Sequence, residues 1–512
     1  NLATRNSTWV THRAALTVES ALPADMQIQQ TSRPAKPADP DAVVSQQTST
    51  GSTAALSLAA LSTGQPVAPY VLCAIRAHRA LGKCGCMMRR STSDRGGYSF
   101  TVQEIDDFWS HSWHAGWWSK MTTLWLYYNG APAALVGVLI AFVCGFFTVY
   151  EEIAMLAGFA SLHVVAAFWP TSRCVFLDKA CIPQNGAGKR AGILSLGFIL
   201  RSSRTMLCLW DETYFTRLWC VFECAAFLHL REQGHAGRIV VMPTYYGFLS
   251  CCISACSFAF KRMHVVLGYL GLGDSFVVVL SCSLVALVCC ALLFGRFVSN
   301  RARAFMIQKQ RLQDFSMDSV RSFCCDVGHT HPESGKHLQC DRLLIEQAVK
   351  DWFGSIPLFE SYVVNTVCRQ VPDSSAMPYL YLAVACSPVL HVQVYRWSAA
   401  GLECCYDAAV YGLFEAMFSA PLIWNVMFKG FNLVAAHTLT TESKMCLCTI
   451  FVVSLIVCIL SVGALLAVQN LVFAWFGFHE ALAILSLIEG SVLAAMYLPR
   501  SVWRKLCGCF RR

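Results

Sequence analysis

Residues 174–243 read CVFLDKACIPQNGAGKRAGILSLGFILRSSRTMLCLWDETYFTRLWCVFECAAFLHLREQGHAGRIVVMP. This is the compact α/β stretch of a chain otherwise made of apolar runs, basic linkers and polar tails. Three short apolar runs in it predict strands: Val175–Asp178, Thr205–Trp210 and Arg238–Met242. Two helical patterns, Lys189–Arg201 and Phe215–Glu232, separate them. Strands alternating with helices imply parallel pairing through crossover helices. Ligands of such sheets bind beyond the carboxyl ends of the strands, so chemistry is sought in the residues that follow each one.

Outside this stretch the chain reads as membrane protein. Of its 512 residues, 55% are hydrophobic and only 14% charged, against about 25% charged in a soluble average. Mean hydropathy is +0.48. The net charge of +9 gathers beside apolar runs, which is topology and lipid-surface charge. No basic stretch interleaves with aromatics, so the expected partner is the lipid bilayer and not nucleic acid. Many of the 27 cysteines lie inside apolar runs. They act there as small hydrophobes, with no disulfide framework. The chain begins at Asn1, which reads as a piece of a longer protein, and shows no signal-peptide pattern.

Taken in order, residues 1–98 predict a disordered region with a basic end. Its Arg76, Arg79, Lys83, Arg89, Arg90 and Arg95 flank Cys84 and Cys86, as a solvated linker or an S-acylated membrane-surface anchor. Within residues 99–128, Asp106–His114 predicts a short strand ending in a polar turn, followed by a helix over Trp117–Tyr128. Residues 129–170 predict a transmembrane hairpin, Ala131–Tyr150 and Glu152–Trp169, closed by Pro170. Residues 171–243 complete the α/β unit. Residues 244–298 predict a second hairpin, Tyr245–Phe260 and Ser275–Phe294, with Lys261 and Arg262 between the spans. Arg296, Arg301, Arg303, Lys309 and Arg311 follow and place 299–376 in the cytosol, as a helical Cys/His-containing segment. Residues 377–500 predict four more spans, Pro378–Val394, Ala408–Phe428, Met445–Val468 and Leu471–Leu498. The basic tail 501–512 is then cytosolic.

With Trp109-Ser110-His111-Ser112-Trp113, Phe176-Leu177-Asp178-Lys179 and Trp219-Cys220…Glu223 in view, the chain resembles the Toll/interleukin-1 receptor (TIR) family. It is also similar to multi-pass membrane proteins of dinoflagellate-type protists. The resemblance covers Phe108–Trp113, Val175–Ser202, Thr205–Trp210 and the helix of Trp219. It implies a fold class of α/β plus membrane all-α. A small flavodoxin-like (TIR-like) parallel sheet is interrupted by a transmembrane hairpin and followed by a polytopic helical region, about eight spans in all. Two departures stand out: the hairpin interrupts the domain, and the loop NGAGK lacks the arginine-proline pattern of signalling members. The resemblance implies signalling or assembly, with homotypic TIR-like association. In TIR domains that cleave NAD it implies a catalytic glutamate, here Glu223. NAD would be a substrate, and no resident cofactor is expected.

The residues themselves allow bland and sharp readings. Glu223 suits a transition state of developing positive charge, or a helix-face ion pair with Arg217. Ser110, His111 and Ser112 end the first strand and could bind a nucleotide or cap a turn. Asp178 and Lys179 occupy the same edge, and Trp219 shares a helix face with Glu223 or anchors the core. Gly186, Gly188 and Lys189 are too short a run for a phosphate loop of the Walker type, although a phosphate could meet the helix that follows. Cys324, Cys325, His329, His331, His337 and Cys340 offer metal ligands at irregular spacing, so no metal is expected there. Glu415 and Glu489 lie inside predicted spans, and a transporter or channel reading would rest on them.

Overall fold

The computed structural model describes residues 71–88, 98–147, 150–183, 191–272, 275–330, 340–371, 377–391, 410–440 and most of 463–497, with a few isolated positions besides. In chain order the first elements are β1 (Cys73–Arg76), α1 (Ala77–Gly85), β2 (Phe100–Thr101), β3 (Ile105–His111), α2 (Trp117–Phe147) and α3 (Glu151–Phe168). Next come β4 (Cys174–Phe176), α4 (Asp178–Cys181), α5 (Leu196–Arg201), β5 (Ser203–Trp210), α6 (Leu218–Glu232) and β6 (Arg238–Pro243).

The six strands make one mixed sheet in the order β2-β1-β4-β3-β5-β6. β4, β3, β5 and β6 run parallel, with Asp107 opposite Val175, Ser110 opposite Cys208 and Leu207 opposite Val240. The strand upstream of the hairpin therefore pairs beside Val175, as the sequence predicts. β3 is central, and Phe108 stacks on Phe176 of β4 with ring centroids 5.1 Å apart.

The other edge departs from the expected all-parallel sheet. β1 pairs antiparallel with both β4 and β2. Residues 73–85 were expected in a disordered region with a basic end. They form a strand and a helix instead, because Ala74, Ile75, Ala77, Ala80 and Leu81 make a buried apolar stripe beneath the charges. Arg76 stays at the edge, over the Phe100 ring and against the Ser172 carbonyl. Residues 1–70 and 89–97 lie outside the described set.

Helix α2 fuses the predicted soluble helix and the span after it, with Pro132 inside. At about 1.5 Å per residue it is roughly 46 Å long, against an apolar bilayer core of about 30 Å. Its first turns belong to the sheet: Trp109 donates to the Tyr128 hydroxyl at 2.8 Å, and Tyr128 to buried Asp107 at 2.9 Å. Beyond them, Leu135, Leu139, Phe146 and Phe147 are exposed, as are Ile153, Leu156 and Phe168 of α3. The two helices meet at Gly137 and Gly158, each against the other's carbonyl oxygen, the small-residue packing that lets backbones approach.

After β6 come α7 (Tyr246–Tyr269), α8 (Phe276–Gln313), α9 (Phe323–Asp326), α10 (Asp341–Phe353), α11 (Ile356–Tyr362) and α12 (Cys368–Gln370). Then follow α13 (Tyr379–Cys386), α14 (Ala420–Thr440) and α15 (Phe478–Tyr497). Among the described residues, α2, α3, α7 and α15 are long and apolar enough to cross a membrane. Most of the predicted span Met445–Val468 and all of the basic tail lie outside the described residues. Lys261 and Arg262 do not form a loop between spans. Both sit inside α7, where Lys261 pairs with Glu415 and Arg262 with Glu152 at 2.8 Å. Glu489 is also satisfied, accepting from Ser419 at 2.9 Å and from Gln469. The polar segment packs on α6, where Trp352 meets Phe222 and Phe353 meets His229.

Candidate functional site at the carboxyl edge of the sheet

Because β3, β4, β5 and β6 are parallel, the residues that follow them share one edge. Ser112 and Trp113 follow β3, Asp178 follows β4, Asp211 to Thr213 follow β5, and Thr244 follows β6. Three linked polar groups are built there.

The innermost joins β3 to α6. Ser110 donates to Glu223 Oε2 at 2.6 Å, and its oxygen lies 2.6 Å from the Tyr214 hydroxyl. A serine hydroxyl carries one hydrogen, so Tyr214 must donate to it. Tyr214 is fully buried, in a single 3₁₀ turn (Tyr214–Thr216) ahead of α6. Burial pushes the Glu223 carboxyl up to about 8; the Ser110 hydrogen bond partly offsets this and the Asp178 charge adds to it. Near neutral pH Glu223 is chiefly a neutral acid.

The second group surrounds Trp113. Its indole donates to Asp178 Oδ2 at 3.0 Å, and Lys179 lies over its ring at 4.2 Å. His111 meets the same ring edge-on at 4.5 Å. His111 is buried, with Nδ1 3.3 Å from the Trp109 carbonyl and no partner on Nε2. Burial, then the charge of Lys120, brings its pKa down to about 4, so the imidazole is neutral. Asp178 is the first residue of α4 rather than the end of β4, and its Oδ1 accepts from the Lys179 amide at 2.7 Å.

The third group reaches a cleft through Asp211 and Thr213. Lys120 is completely buried and donates to the Ser112 carbonyl at 3.1 Å. Ser112 Oγ lies 2.7 Å from Thr213 Oγ1, which donates to Asp211 Oδ2 at 2.7 Å. Burial raises the Asp211 carboxyl pKa, while the Thr213 hydrogen bond and the Lys120 charge hold it back. Beside these lies a cleft of about 390 Å³ with Asp211, Glu212, Thr244, Arg301 and Gln308 among its walls. One wall is α8: Phe305 packs on Trp210 with ring centroids 4.5 Å apart, Trp210 donates to Gln308, and Arg301 pairs with Glu212.

The structure thus gathers Ser110, His111, Ser112, Asp178, Lys179 and Glu223 at one edge. Trp219 is elsewhere: one turn before Glu223, it donates to Asp341 of α10 at 3.1 Å. The NGAGK loop and His331 lie outside the described residues. Cys324, Cys325, His329 and Cys340 come together in the segment that Asp326 ties to Arg217 at the start of α6. Sequence reasoning missed Asp211, Tyr214, Lys120 and the contribution of α8. Asp211 was within reach, since it follows Trp210 as Asp178 follows Leu177. The others answer to no local pattern.

Comparison of the chain with protein families, curated proteins and solved structures returns no match.

Proposed function

We propose that this chain is a multi-pass membrane protein whose sheet is a TIR-like signalling module, read out through α8. The parallel strands lie second, first, third, fourth in space, which is the order of flavodoxin-like sheets. Exposed leucine, isoleucine and phenylalanine on α2 and α3 suit lipid contact.

The observation that carries the reading is α8. It is continuous over 38 residues, about 57 Å at the usual rise. It begins in the predicted span Ser275–Phe294 and ends as a wall of the cleft. A shift of this helix in the bilayer moves Phe305 and Gln308 against Trp210, and a ligand in the cleft pushes back by the same linkage. The test uses the full chain in nanodiscs, spin-labelled at exposed Val285 and at Glu212. Two distance populations are expected, and added NAD or ATP should change their ratio. A single population that neither nucleotide moves sinks the reading.

A second reading, NAD cleavage, is favoured by Ser110 on Glu223 beside Asp178. Its catalytic form is the carboxylate, which stabilises an oxocarbenium-like centre. With a pKa of about 8, that form grows as pH rises. NAD consumption by the purified chain should therefore increase from pH 6.5 to 9 and fall at least about a hundredfold in Glu223→Ala. Equal turnover in wild type and mutant removes the assignment.

A further inference from the structure

Cys324, Cys325, His329 and Cys340 place three sulfurs and one imidazole nitrogen within 4.8 Å of one another. Cys325 Sγ lies 3.9 Å from Cys324 Sγ, 3.9 Å from Cys340 Sγ and 3.7 Å from His329 Nε2. A tetrahedral ion with metal–sulfur bonds of about 2.3 Å and metal–nitrogen bonds of about 2.0 Å sets edges of about 3.8 Å and about 3.6 Å. The four ligand atoms therefore already stand near the corners such an ion requires.

The backbone is shaped for this arrangement. Gly328 and His329 have φ of +62° and +58°, and His329 is the one described non-glycine residue with positive φ. That reversal swings the imidazole back over Cys325. The His329 amide donates to the Cys324 carbonyl at 2.7 Å, and the Leu338 amide donates to the His329 carbonyl at 2.8 Å, closing the loop. The Asp341 amide also donates to Cys324 Sγ at 3.2 Å, a bond that steadies a metal-bound thiolate.

The geometry points to a structural zinc site of three cysteines and one histidine. Sulfur-rich tetrahedral ligation selects zinc among the common divalent ions. Four protein ligands leave no open position, so the ion is structural and not catalytic. Its place gives it a task. Cys340 immediately precedes α10, and Cys324 lies in α9, whose flanking strap is bonded to the start of α6. The Arg321 amide donates to the Thr216 carbonyl at 2.8 Å, the Leu218 amide to the Arg321 carbonyl at 3.1 Å, and Arg217 pairs with Asp326 at 3.3 Å. The ion pins the polar segment onto the helix that carries Glu223.

The test uses the full chain, solubilised in detergent and purified under reducing conditions. One zinc ion per chain is expected by elemental analysis. After chelation, cobalt(II) should restore tetrahedral ligand-field bands and a thiolate-to-cobalt charge-transfer band. Cys340→Ser and His329→Ala should each weaken cobalt binding at least about tenfold. His337→Ala, an exposed histidine of the same loop, should leave it unchanged. Wild-type chain that carries no stoichiometric zinc and gives no tetrahedral cobalt spectrum overturns the site, whatever the variants do. Equal loss in His337→Ala and His329→Ala overturns the ligand assignment.

Discussion

Gly247→Ala is expected to prevent the chain from accumulating in folded form. Gly247 is the second residue of α7, and its amide donates to Thr123 Oγ1 of α2 at 3.0 Å. The same hydroxyl donates to the Thr244 carbonyl at the end of β6 at 2.7 Å. Two helices and a strand end thus meet backbone to backbone. A methyl group at 247 would overlap the Thr122 carbonyl carbon and the Thr123 nitrogen. Neither atom can step aside by a change of rotamer, so the helices must separate. A cost on the order of 4 kcal/mol is expected, a large share of a typical stability of about 5–15 kcal/mol. Gly268→Ala supplies the control, since that site in the same helix has open space around it. It should be neutral or stabilising by up to about 1 kcal/mol. Yield and thermal melting of both variants in detergent decide the matter, and similar behaviour would refute the argument.

Lys120 carries the second large effect. Its ammonium is fully buried, donates to the Ser112 carbonyl and lies 5.2 Å from the Trp113 ring centroid. Lys120→Ala removes the packing of the stem and the charge together, and should cost roughly 3–5 kcal/mol. Lys120→Met keeps the stem and removes only the charge, so its smaller loss isolates the electrostatic part. A pH signature accompanies it. Asp211 has a raised pKa that the Lys120 charge restrains. A carboxyl held above its unfolded value binds its proton more tightly in the folded chain, so stability falls as pH rises above about 4. Without Lys120 this fall becomes steeper. Melting between pH 5 and pH 8 should diverge from wild type, with the variant losing more at the upper end. Parallel curves for Lys120→Met and wild type would show that the charge does not act on Asp211.

The sequence disclosed the parallel core because β4, β5 and β6 are short apolar runs separated by helical patterns, while polar β3 was legible only through its Trp-Ser-His-Ser-Trp motif. Leu207 and Cys208 point to opposite faces of β5 and both are buried, as a two-sided strand requires. It disclosed Ser110 and Glu223 through their motifs, and the structure then put them 2.6 Å apart. It hid β1, because Arg76, His78 and Arg79 outweighed a thin stripe of alanines in any reading by composition. Lys261 looked like a loop residue because its partner Glu415 is 154 positions away, beyond the reach of local patterns. Cys324 and Cys340 stayed ambiguous for a similar reason. Only the turn at Gly328 and His329 converts their irregular spacing into a cluster.

The apolar hairpin of α2 and α3 lies in sequence between β3 and β4, yet these strands are neighbours in the sheet. During synthesis β3 emerges first and must wait for its partner across both helices. Long-range pairings of this kind form late. Only when the hairpin has folded back, Gly158 against Gly137, do Asp107 and Val175 come into register. The sheet can close only around a correctly seated hairpin. A chain whose helices are misplaced would leave β3, the central strand, with a bare edge for chaperones and proteases to recognise. The split of the domain thus ties closure of the sheet to the folding of the hairpin.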